Sequence, residues 1–71
     1  MKTLHGECIG RGRFIELEVI QGDDGTVRIQ LDVDGSYGLV FRGTIEDARI
    51  EYKEMKAAIR ADEKLRSGQR T

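Results

Sequence analysis

Apolar and polar residues alternate through the first 42 positions of the chain and then recur with a helical period towards its end. The alternation is cleanest from Thr26 to Asp34, where Arg28, Gln30 and Asp32 separate Val27, Ile29, Leu31 and Val33. A period of two places the two sets on opposite faces and predicts a strand over 26–34 with one buried and one wet side. Residues 13–20 read the same way: Ile15, Leu17 and Val19 oppose Glu16 and Glu18, while Phe14 and Ile20 fall on the glutamate side. Between these strands lies Gln21-Gly22-Asp23-Asp24-Gly25, rich in residues that tolerate positive φ, so the two form a hairpin. Asp34-Gly35 is the pair favoured in type I′ turns. It leads into a strand over 36–42, where Tyr37, Leu39 and Phe41 alternate with Ser36, Gly38 and Val40. A further strand over 3–9, returning through Gly10-Arg11-Gly12, is predicted at an edge of the sheet. There neither Leu4, Gly6 and Cys8 nor His5, Glu7 and Ile9 make a strongly apolar face.

The period then changes. Thr44 followed by Asp47 is a capping-box variant, and no glycine, proline, valine or threonine interrupts Ile45 to Leu65. Glu46 and Asp47 in the first turn and Lys64 and Arg66 in the last match the helix dipole. Asp62 and Arg66 are spaced for an i,i+4 pair, and Gly68 supplies a stop. The predicted helix covers 44–66, leaving 67–71 as a frayed tail. Around its axis Ile45, Ala48, Tyr52, Met55 and Ile59 fall within about 80° of one another. That stripe should pack on the sheet. Ile50, Ala57 and Ala61 form a second stripe roughly 150° away, which the same sheet cannot cover. The expected architecture is α+β: an antiparallel β-meander of three to four strands packed against one long C-terminal α-helix (ββββα), a single domain over residues 1–71.

Size and composition narrow the function classes. At 71 residues the chain buries only about 60% of its unfolded surface, and two Phe, two Tyr and no Trp give the core few large side chains. Folds this small gain support from disulfides, metals or oligomerisation. Cys8 is the one cysteine, which excludes an internal disulfide. A homodimer is therefore expected. Twelve basic against 13 acidic residues leave a net charge of −1, which argues against a general attraction to phosphate backbones. No apolar run exceeds three residues, as in Leu39-Val40-Phe41, so neither a signal peptide nor a membrane span is predicted and the expected location is cytoplasmic.

The chemical candidates reduce to surfaces. His5 and Cys8 are good zinc ligands, but a structural zinc site takes four ligands and no second His or Cys exists. No metal and no cofactor is expected. Asp24 and Asp32 are separated by roughly 26 Å of extended chain, so the four aspartates Asp23, Asp24, Asp32 and Asp34 belong to turns rather than to one ion. Ser36 and Ser67 lack a positioned base, and the glycine-rich stretch Gly6 to Gly12 lacks the Lys-Ser/Thr ending of a phosphate loop. No enzyme is expected. Two surfaces remain. The outer helix stripe Ile50, Ala57 and Ala61 lets a second helix approach closely. The sheet face with Arg13, Phe14, Arg28, Val40 and Arg42, together with Ile20, Glu16 and Glu18, suits a protein partner. Its arginine and aromatic side chains would alternatively cradle single-stranded nucleic acid. The leading expectation is a homodimeric, non-enzymatic protein-binding module with an accessory or regulatory role.

The predicted order of meander and helix resembles the plan of PUR-type single-stranded-DNA-binding modules, which dimerise. Gly12-Arg13-Phe14-Ile15 is similar to a strand start in their repeats. Gly43-Thr44-Ile45-Glu46-Asp47-Ala48 resembles the strand-to-helix junction of HicB-type antitoxins, without the Asp-Leu-Pro-Gly signature expected before it. These likenesses cover four and six residues and assign the chain to neither family.

Overall fold

A computed structural model describes the backbone of residues 1–10 and 12–68, and the side chains as far as Leu65 with Arg11 excepted. Strands β1 (Lys2–Cys8), β2 (Ile15–Gln21), β3 (Val27–Val33) and β4 (Ser36–Gly43) form one antiparallel sheet in chain order, and helix α1 (Ile45–Gly68) follows. This is the ββββα architecture expected from the pattern. Of the predicted tail 67–71, residues 67 and 68 are helical. Residues 69–71, Arg11 of the first turn and the side chain of Arg66 lie outside the described residues.

The turns form where the sequence permits them. Asp34 and Gly35 take φ of 53° and 91° and join Val33 to Ser36 as a two-residue hairpin loop. Asp32 Oδ1 accepts the Gly35 N–H at 2.8 Å, which ties the strand end to its own turn. In the β2–β3 loop Gly22 N–H donates to the Thr26 carbonyl at 2.9 Å, and Asp24 Oδ1 accepts the Thr26 N–H at 3.0 Å. Thr44 caps the helix, its Oγ1 accepting the Asp47 N–H at 3.2 Å.

The core lies between one sheet face and α1. Ile15 and Leu17 of β2 and Val27 and Ile29 of β3 are fully buried, each contributing about 1.5–3 kcal/mol. Ile9 and Ala48 join them, with Tyr52, Met55 and Ile59 of the predicted helix stripe packed against the cluster. Ile45, predicted in that stripe, stays partly exposed, because as the first helical residue it borders a groove at the sheet margin. Helix α1 packs over β2, β3 and β4. From β1 it is reached only by side chains, the Glu7 carboxylate accepting from Tyr52 and Lys56. The 24-residue helix is about 36 Å long, against about 24 Å for a seven-residue strand. Its C-terminal half is anchored by an ion pair, Arg13 Nε donating to Glu63 Oε1 at 2.9 Å.

Both edge strands carry a β-bulge, which the alternating pattern did not predict. In β1 the register passes from Thr3↔Ile20 to His5↔Val19, leaving Leu4 as the extra residue. In β4 it passes from Ile29↔Phe41 to Gln30↔Leu39, leaving Val40 extra. A bulge reverses the side-chain phase beyond it. Phe41 therefore packs under the helix with Ile29. Tyr37 and Leu39, which simple alternation put on the side of Phe41, lie on the opposite face.

Candidate functional site

The face of the sheet turned away from α1 has no element over it among the described residues, and the register orders it into three cross-strand rows. Cys8, Glu16, Asp32 and Tyr37 form the first row; Gly6, Glu18, Gln30 and Leu39 the second; Thr3, Ile20, Arg28 and Arg42 the third. Successive rows are about 7 Å apart. Charge is segregated along this face. Glu16 lies directly opposite Asp32 at one end, and Arg28 directly opposite Arg42 at the other. Like charges opposed across strands destabilise a sheet, so the isolated chain carries a repulsive pair at each end. Neither Arg28 nor Arg42 forms an ion pair among the described residues. Asp32 is buried and relieved in part by the Gly35 N–H. Along the β4 edge, Tyr37 is 74% and Leu39 57% exposed, with Val40 exposed beside them.

The predicted sheet-face residues divide. Arg28 and Arg42 stand on the open face as expected. Phe14 lies just before β2, exposed, its carbonyl accepting the Asp34 N–H at 2.8 Å and its own N–H donating to Asp34 Oδ1 at 3.1 Å. Val40 is exposed, but as the bulge residue it occupies no row. Arg13 is the correction. It shares the parity of Ile15, reaches the helix side and is held by Glu63, which no sheet-face role permits. Ile20, expected to be an exposed apolar contact, is on the open face yet buried, at register positions beside Thr3 and Arg28. On α1, Ile50, Ala57 and Ala61 are all exposed, away from the core cluster.

A polar cluster that the sequence reading missed joins β1 to α1. Tyr52 Oη donates to Glu7 Oε1 at 2.8 Å, Lys56 Nζ reaches the same oxygen at 2.6 Å, and the His5 ring meets Tyr52 edge to face at 5.3 Å. The Lys56 contact, with the Tyr52 hydroxyl second, holds the Glu7 carboxyl below its ordinary range. Partial burial, and then the bond to Glu7, pushes the Tyr52 hydroxyl well above the usual phenol range. The signal was present in the spacing: Tyr52 and Lys56 are one turn apart, facing the polar alternation of His5 and Glu7 on an edge strand.

These groups do not converge on an ion. Among the described residues no group of three or more His, Cys, Asp or Glu side chains is placed to hold a metal. Cys8 is exposed on the open face, and Asp23 is paired with the N-terminal ammonium at 2.9 Å. No helix of the described residues is long and apolar enough to cross a membrane. Comparison with protein-family models, curated proteins and solved structures finds no match, so the two short likenesses of sequence are not extended.

Proposed function

We propose that this chain is a small non-enzymatic interaction module whose working surface is the open sheet face, with a second copy of itself as the first partner. The observation that supports this reading is the segregation of charge on that face. A two-fold axis lying across the strands sets the Glu16–Asp32 end of one copy over the Arg28–Arg42 end of the other. Both repulsive pairs are then relieved at once, and Leu39 meets its counterpart near the axis. Strand addition is the weaker route, because the bulges at Leu4 and Val40 interrupt both sheet edges.

The same geometry sets the strength. The face measures about 19 by 24 Å, or ~450 Å² in projection, well below the ~800 Å² per partner of a standard interface. Glu18 in the middle row would lie near its own copy across the axis. The expected dimer is therefore weak and concentration-dependent, which suits an accessory factor that exchanges partners. The exposed helix stripe Ile50, Ala57 and Ala61 offers a second contact with only one large apolar side chain, and contributes less.

Sedimentation equilibrium across a wide concentration range tests the reading. Self-association should weaken at least about tenfold in Arg28→Glu/Arg42→Glu and recover when that variant is mixed with Glu16→Lys/Glu18→Lys. Glu18→Gln should tighten it. A monomer at every concentration removes the second copy as partner.

Arg28 and Arg42, adjacent and without an ion pair among the described residues, and exposed Tyr37 favour one other reading, a single-stranded nucleic-acid surface. Glu16, Glu18 and Asp32 on the same face weigh against it. A short oligonucleotide titrated at low and high salt discriminates, since phosphate contacts must weaken steeply with salt.

A further inference from the structure

The groove beside β1 is a second surface, on the other side of the sheet. Because α1 packs over β2, β3 and β4, it meets the inner face of β1 only through side chains, Tyr52 against His5 and Glu7 and Lys56 against Glu7, and a groove of about 600 Å³ opens there between strands and helix. Its apolar lining includes Val19 and Ala48, with Leu4 and Ile45 beside them. Leu4 is the β1 bulge residue. Leu4 and Ile45 both stay more than a third exposed, so the cavity leaves apolar surface in water.

The Tyr52 side chain, the His5 ring and two cations complete the lining. Arg49 and Lys53, one helical turn apart, belong to it, and neither forms an ion pair among the described residues. The neighbouring carboxylate cannot neutralise them, since Glu7 already accepts from Lys56 and Tyr52. The Tyr52 hydroxyl is committed to the same bond, which leaves His5, its Nε2 4.0 Å from Glu7, as the one further polar side chain of the lining among the described residues to read a hydroxyl-rich or heterocyclic ligand. An apolar lining of this volume with a few convergent polar groups is the usual form of a small-molecule site. The charge it lacks is negative.

We propose that this groove binds a small amphiphilic carboxylate of the medium-chain fatty-acid class. Its tail lies over Val19, Ala48, Leu4 and Ile45, and its carboxylate lies between Arg49 and Lys53. Each methylene that enters tightens binding by up to about fourfold, and the two exposed cation contacts together contribute about tenfold.

Titration of the isotope-labelled chain with decanoate and with decanol, followed by amide chemical shifts, tests the assignment. Decanoate should give saturable one-to-one shifts centred on Val19, Ala48, Arg49 and Lys53, and should bind about tenfold more tightly than decanol. In Arg49→Gln/Lys53→Gln, whose changes lie on exposed positions, decanoate should weaken to the level of decanol while decanol is unchanged. The proposal is overturned by any of three results: no saturable shift with decanoate, equal affinity for acid and alcohol in the unmodified chain, or shifts that map to the open sheet face. The acid–alcohol comparison needs no variant and does not depend on the dimer.

Discussion

Replacing Arg13 by alanine removes the guanidinium that donates to Glu63 Oε1 and strands a carboxylate that is only 7% exposed. A hydrogen bond to a charged group contributes about 1.5–3 kcal/mol net. The Arg13 side chain is itself 35% exposed, so solvent screens the pair and the lower end applies, about 1.5 kcal/mol. In a domain of this size that lowers the melting temperature by about 6–12 °C. Glu63→Ala should cost less, because the released Arg13 can turn to water whereas a released Glu63 cannot without moving the helix. The double variant Arg13→Ala/Glu63→Leu should recover most of the loss, since removing both charges removes the desolvation penalty with them. Thermal unfolding followed by far-ultraviolet circular dichroism at neutral pH measures all three. Two results would refute the reasoning: Arg13→Ala melting within about 2 °C of the unmodified chain, or the double variant being no more stable than the single one.

Leu17→Ala, at the fully buried centre of the core, should cost about 2–5 kcal/mol, enough to unfold much of so small a domain, and urea unfolding reads the loss directly. Glu7→Gln tests the polar cluster through pH. The folded-state pKa of Glu7 lies below the ordinary 4.5, so its stabilising contribution is present above that value and is lost as pH falls through the folded-state pKa. The stability gap between the two proteins should hold above about pH 5 and close below pH 4.5; a gap unchanged in strong acid contradicts the assignment. Gly10→Ala should be severely destabilising, because a Cβ there would collide with the Arg13 carbonyl and crowd the Ile15 backbone nitrogen at 3.1 Å. Gly12→Ala at the same loop meets no neighbouring atom and strains only its positive φ of 76°. Comparing the two melting temperatures separates the effects.

The elements themselves were legible because each rests on a local rule. Period-two alternation located β2 and β3, Asp34-Gly35 announced its turn through the two positive φ values it accepts, and Thr44 marked the helix start through its side-chain oxygen. The bulges were not legible. Leu4 and Val40 are ordinary strand residues by composition, and a single extra residue is decided by how β1 and β4 fit their neighbours. That one uncertainty misassigned Tyr37 and Leu39, and with them the apolar part of the open face. Arg13 was misplaced for a different reason: its parity with Ile15 already pointed to the helix side, and only its partner, a glutamate 50 residues later in the chain, left no local signal. The charge segregation depends on the same long-range register. Glu16 and Asp32, or Arg28 and Arg42, become neighbours only when three strands are aligned.

The bulge at Val40 acts on side chains as a frameshift acts on codons. Upstream of it Tyr37 and Leu39 are read outward; downstream Phe41 is read inward. Were Val40 instead a regular ladder residue, simple alternation would bring all three into a single phase on the helix side and strip the outer face of its apolar edge. One extra residue thus separates the side chain that packs under the helix from the two that stand outside. The bulge keeps these two large side chains, Tyr37 and Leu39, in water.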